Sequence, residues 1–102
     1  MVKPNLHALF HAIYYDDLDS VKILIEKGID IDVRDDEFKT PLMCAVYYER
    51  ITIFKYLINH GADLFKMDLK HDMAIDYAYK TDTYHIQDIL SWRMMHEESQ
   101  KG

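Results

Sequence analysis

Apolar residues recur along this chain in short stripes, spaced three and four apart and grouped in pairs. Leu9, Ala12 and Ile13 make the first stripe, and Val21, Leu24 and Ile25 the second. Leu42, Ala45 and Val46 repeat the first, and Ile53, Phe54, Leu57 and Ile58 the second. Such spacing sets each group on one face of an α-helix, so two short amphipathic helices are predicted per unit. The punctuation agrees. Thr40 fits an N-cap and Pro41 the first helical position, where its missing N–H costs nothing. Glu49-Arg50 breaks the middle pair, and Gly28 and Gly61 follow the second helices, where a left-handed end favours glycine. The stretches 29–39 and 62–72 are too polar and irregular for sheet and read as hairpin-like connections. Little strand is expected.

The units are copies of one another. Displaced by 33 residues, Gly28 falls on Gly61, Asp30 on Asp63 and Asp35 on Asp68. Leu9, Leu42 and Ile75 coincide, as do Ala12, Ala45 and Ala78, and then Leu24, Leu57 and Leu90. Tyr14-Tyr15 lands on Tyr47-Tyr48. A helix pair of this size cannot bury its apolar face alone, so the copies must stack, with atypical units at the ends.

This period, the helix pairs and the stretches Thr40-Pro41-Leu42-Met43-Cys44-Ala45 and Asn59-His60-Gly61-Ala62-Asp63 resemble the ankyrin repeat over about residues 4–93. The resemblance implies an all-α solenoid of three helix-turn-helix units, about 4–34, 35–67 and 68–96, joined by short hairpin-like loops. The first unit would start at Pro4-Asn5 and lack a hairpin. Some positions depart from the family pattern. Met43 stands for the usual His, so a hydrogen bond between repeats is expected to be lost. Phe38 and His71 replace the turn glycine, which implies altered or strained tips. Met73-Ala74 stands for Thr-Pro, so Asp72 is the expected cap of that helix. Trp92, Met94 and Met95 are expected to fold over the last helix, and residues 97–102 to fray.

The resemblance also implies where a partner binds, in a concave groove lined by the loop tips and the outward positions of each first helix. Those positions are Tyr14, Tyr15, Tyr47, Tyr48, Lys80 and Thr81, with Asp36, Glu37 and Lys39 on one tip and Leu69, Lys70 and Asp72 on the next. Arg34 and Met67 stand at the bases. Four tyrosines on a solvated face suit recognition, because the ring offers large contact area at low entropy cost. Tyr14 and Tyr47, one period apart, would form a ladder. Asp16, Asp17, Asp36 and Glu37 would rim it with acid, and Lys39, Lys70 and Lys80 would make the far half less acidic.

Charge sharpens this picture. The 102 residues carry a net −6, and nine acids between Asp16 and Glu37 face only Lys22, Lys27 and Arg34. Such a surface repels nucleic acid and anionic membranes and attracts a basic protein. With 49% hydrophobic and 29% charged residues the chain is a folding one, and no apolar run approaches the ~20 residues of a membrane span. No secretory signal is evident, and the lone Cys44 makes no internal disulfide, so a cytoplasmic setting is expected.

Catalytic signatures are thin. His7 and His11 have the i, i+4 spacing of a metal pair but no adjacent Glu and no evident third ligand. His60, His71, His85 and His96 share no ligand spacing. Cys44, beside Ala45, reads as a small buried residue. Three glycines make no phosphate loop, so no cofactor or metal is expected. The sequence therefore reads as a non-enzymatic module that acts by occupying a protein, most simply as an inhibitor or antidote of a basic partner. An adaptor bridging two proteins is the nearest alternative. A monomer is expected, with self-association through the apolar end caps as the structural alternative.

Overall fold

The computed structural model describes residues 5–101, with side chains as far as residue 97; the predicted start at Pro4 lies outside the described residues. Six helices run in order: α1 (Leu6–Tyr14), α2 (Leu18–Glu26), α3 (Pro41–Tyr47), α4 (Ile51–Asn59), α5 (Ala74–Lys80) and α6 (Tyr84–Lys101). No strand occurs among the described residues. The all-α repeat solenoid is confirmed. Each unit packs its two helices together, and α1, α3 and α5 stack in one row.

One core threads the stack. Leu9, Leu42, Leu57, Ile53, Phe54, Ile86 and Leu90 are almost wholly buried. Two loops carry the same turn one period apart. Asp35 Oδ1 accepts the N–H groups of Glu37 (2.8 Å) and Lys39 (2.9 Å), as Asp68 Oδ1 accepts those of Lys70 (2.8 Å) and Asp72 (3.0 Å). Aspartate suits such turns because its carboxylate mimics a backbone acceptor. Neighbouring units are tied by polar bonds as well as by packing. Arg50 Nε donates to the Ile13 carbonyl at 3.2 Å and its Nη2 to that of Tyr14, filling acceptors at the end of α1. Asp32 accepts the Asp63 N–H at 2.9 Å, and the Leu69 N–H reaches the Glu37 carbonyl at 3.0 Å.

Some local expectations change. The N-cap of α5 is Met73, whose N–H donates to Asp76 at 2.7 Å, so Asp72 is not the cap. Asp76 three residues on supplies the acceptor for that exposed donor, as a capping box does. Thr40 does cap α3, and Met43 fills the reciprocal role with its sulfur, 3.4 Å from the Thr40 N–H. Trp92 and Met95 do not fold over the core: both are exposed, Trp92 stacked on His96 at 3.7 Å, and only Met94 packs inward. A single helical face cannot turn positions 92, 94 and 95 inward together. The backbone of α6 stays helical through the polar stretch 97–101.

Phe38 (φ 63°) and His71 (φ 67°) occupy the left-handed region, so the tips are strained where glycine is absent. An L side chain there costs about 1–2 kcal/mol, partly offset by the greater freedom glycine loses on folding. His71→Gly should therefore raise unfolding free energy by about 0.5–1 kcal/mol, read as a higher midpoint in urea. An unchanged or lower midpoint would show that the exposed His71 ring contributes as much as the strain costs.

Candidate functional site

The tyrosines lie where α1 and α3 end. Each tandem pair closes its helix just before a residue forced to positive φ, Asp16 (59°) and Glu49 (58°), which turns the chain away and leaves the rings outside. All four are exposed, from 39% for Tyr48 to 65% for Tyr15. Their rings form an unbroken chain of edge-to-face contacts. Tyr15–Tyr14, Tyr14–Tyr48 and Tyr48–Tyr47 each have centroids 5.0 Å apart, and Tyr47 continues to Tyr77 at 6.1 Å, with interplanar angles of 86–88°. Such pairs contribute about 0.5–1.5 kcal/mol each beyond area burial. The expected direct Tyr14–Tyr47 ladder is replaced by a zigzag through Tyr48.

Beneath the chain lies a depression of about 650 Å³. It brings together Tyr14, Tyr47, Tyr48, Glu37, Lys39, Lys70 and Lys80 of the predicted set. Tyr15 and Asp17 instead line a separate hollow of about 490 Å³ with Ile23 and Ala12, on the outer side of the first unit. Asp17 is the N-cap of α2, accepting from Ser20 N–H (3.1 Å) and Oγ (2.7 Å), and these bonds hold its carboxyl below the ordinary range. Asp16 serves the tight turn after α1, and Asp36 is exposed at its tip without lining the groove. Of the four acids expected to rim the tyrosines, only Glu37 lines this groove. Asp17 is instead engaged by the Ser20 N–H at the start of α2, a donor the helix leaves without an internal partner.

The groove itself is balanced, with Asp35, Glu37 and Asp68 against Lys39, Lys70 and Lys80. Lys39 pairs with Glu37 at 3.0 Å, a bond that raises the ammonium pKa. Lys80 pairs with Asp72 at 2.6 Å, raised likewise, and stands 5.3 Å over the Tyr77 ring. Asp68 is almost fully buried. Burial opposes its charge, but the Tyr77 hydroxyl and the Asp72 and Lys70 N–H groups outweigh that and hold its pKa low. Tyr77 is correspondingly raised, by burial first and then by its bond to Asp68.

Six residues that line the groove were not among the positions read from the sequence: Phe10, Asp35, Met43, Cys44, Asp68 and Tyr77. Cys44 was expected in the core but is half-buried on the groove floor, its thiol pushed up to about 12 by burial and by Asp35. A thiol so protonated is a poor nucleophile. The register held the signal, since His11, Cys44 and Tyr77 are one period apart and share one outward column. His11 lies against Tyr15 at 4.6 Å, and among the described residues no three His, Cys, Asp or Glu side chains gather as a metal site. No described helix is long and apolar enough to cross a membrane.

A family model described as ankyrin repeats (3 copies) matches residues 2–68. The chain is 27% identical over 73 residues to an ankyrin repeat protein of Acanthamoeba polyphaga mimivirus, covering 72% of this chain and 45% of that one. It is 37% identical over 62 residues to an ankyrin repeat protein of Fowlpox virus (strain NVSL), covering 61% of this chain and 8% of the relative. The chain thus spans less than half the length of either viral protein.

Proposed function

Because the chain belongs to the ankyrin-repeat family, whose repeats mediate protein–protein interaction, we propose that it binds a partner protein in the tyrosine-lined groove. The observation that carries this reading is the ring chain itself. Rigid aromatic faces joined edge to face across three units give a preorganised contact strip, which lowers the entropy lost on binding. Polarity runs along it. Asp35 and Glu37 face Lys39 near the second unit, whereas Lys70 and Lys80 face Asp68 near the third. A docked segment therefore has one preferred direction. The partner's basic character is proposed from the net −6 and from that acidic half of the groove. The reading extends to action by occupancy, as an inhibitor in the cytoplasm, because filling the groove with a partner's segment covers that segment.

The test separates the groove from the outer hollow. Tyr14→Ala, Tyr47→Ala and Tyr48→Ala together should remove capture of the partner from source lysate while far-UV circular dichroism stays helical. Tyr15→Ala alone should leave capture nearly intact. Equal capture by the triple variant and the wild type would place binding elsewhere.

A further inference from the structure

The two matched turns end differently, and the difference opens a subsite. In the third unit the Tyr77 hydroxyl donates to Asp68 Oδ2, and the ring fills the space before it. One period earlier the corresponding pair is Asp35 and Cys44. The Asp35 turn is the same, with Oδ1 taking the Glu37 and Lys39 N–H groups. A cysteine is too short to reproduce the tyrosine bond, and no described group donates to Asp35 Oδ2. Cys44 and Asp35 both line the depression, together with Tyr14, Tyr47 and Tyr48. Where the third unit has a ring and its hydroxyl, the second has a gap walled by aromatics with a carboxylate oxygen to spare.

We propose that the gap over Cys44 receives an arginine side chain of the partner protein, its guanidinium between the tyrosine rings and its N–H groups on Asp35. This deepens the groove reading above and rests on it. Charge decides the occupant. Two carboxylates, Asp35 and Glu37, lie on this side against one ammonium, Lys39, which Glu37 already engages at 3.0 Å. A planar guanidinium stacks on tyrosine faces and forks onto a carboxylate, whereas an ammonium presents only a point charge. The guest would supply the donor that Tyr77 supplies to Asp68.

The experiment is a ¹H–¹⁵N NMR titration of the whole chain with Nα-acetyl-arginine methylamide, set against its citrulline counterpart, which has the same shape without the charge. Saturable shifts at Cys44, Tyr47 and Tyr48 are expected, with arginine favoured over citrulline on the order of fivefold. Asp35→Asn keeps the Oδ1 acceptor of the turn and should erase that preference. Cys44→Tyr, which refills the gap as the third unit does, should abolish the shifts. Equal binding of citrulline, indifference to both variants, or no saturation by about 50 mM arginine probe would overturn the proposal. The groove reading fails separately, if the triple tyrosine variant still captures the partner.

Discussion

Phe54→Ala should bring the domain close to unfolding at room temperature. Phe54 is fully buried in α4, and α4 packs on both α3 and α2, so the ring stands where the first two units meet. Its counterparts at the same register are Val21 and Gln87, so the middle unit alone fills this place with a large ring. Removing it costs the transfer energy of the side chain plus a cavity, about 3–5 kcal/mol. A domain of this size is stable by only about 5–15 kcal/mol, and a short repeat array distributes that among few interfaces. Weakening the middle unit acts on both neighbours, so unfolding should remain a single cooperative loss. Urea denaturation followed by circular dichroism measures it, with Trp92→Ala, an exposed site, expected within about 0.5 kcal/mol of wild type. A Phe54→Ala loss below about 1.5 kcal/mol would mean that the neighbouring units close over the cavity.

Much of this architecture is legible in the sequence because it is enforced at a fixed register. Gly28 and Gly61 both adopt positive φ at the ends of second helices, as their position after the last apolar residue implies. Leu9, Leu42 and Ala45 are buried as the three-and-four spacing requires. Asp30 and Asp63 make one kind of turn, each accepting the N–H two residues on at 2.9 and 2.8 Å. A repeat position under the same backbone demand keeps the same chemistry, and self-comparison finds it.

The candidate site was harder to read, for a physical reason. Net charge does not distinguish a carboxylate that holds a turn from one that waits for a partner. Asp17, Asp35 and Asp68 belong at least partly to the first kind, since each accepts backbone N–H groups. Tyrosine pairs on a helix end show that rings will be exposed but not which groove they share, so Tyr14 and Tyr15 separate onto different hollows although adjacent in sequence. Tyr77 stayed hidden because its partner Asp68 lies nine residues away, a separation that no helical spacing reveals. Its column at the repeat period is His11, Cys44 and Tyr77 itself, three unlike polar or polarisable side chains at one register, and that change of chemistry is the signal to follow.

Asp68→Ala is the second large effect, and it links stability to the site. Asp68 accepts from Tyr77, Lys70 and Asp72, so its loss strands a mostly buried hydroxyl and two N–H groups of the turn. The expected destabilisation is about 2–4 kcal/mol at neutral pH; Asp68→Asn, which retains the turn acceptor, should lose about half as much. The pH dependence has a definite sign. The folded carboxyl is held below its ordinary value of 3.8, so the unfolded chain binds the proton more readily. The stabilisation is therefore complete above about pH 4 and is lost as pH falls through the folded pKa. Urea midpoints of wild type and Asp68→Asn should accordingly converge as pH is lowered from about 4 through the folded pKa. A gap that stays constant over that range would mean that Asp68 acts by shape and not by charge. The same bond steadies Tyr77, on which Tyr47 rests edge to face, so in the Asp68→Ala variant the aromatic signals of Tyr47 and Tyr48 should broaden or shift even where the fold survives. The acid that holds the turn is then also what keeps the far end of the tyrosine strip in place.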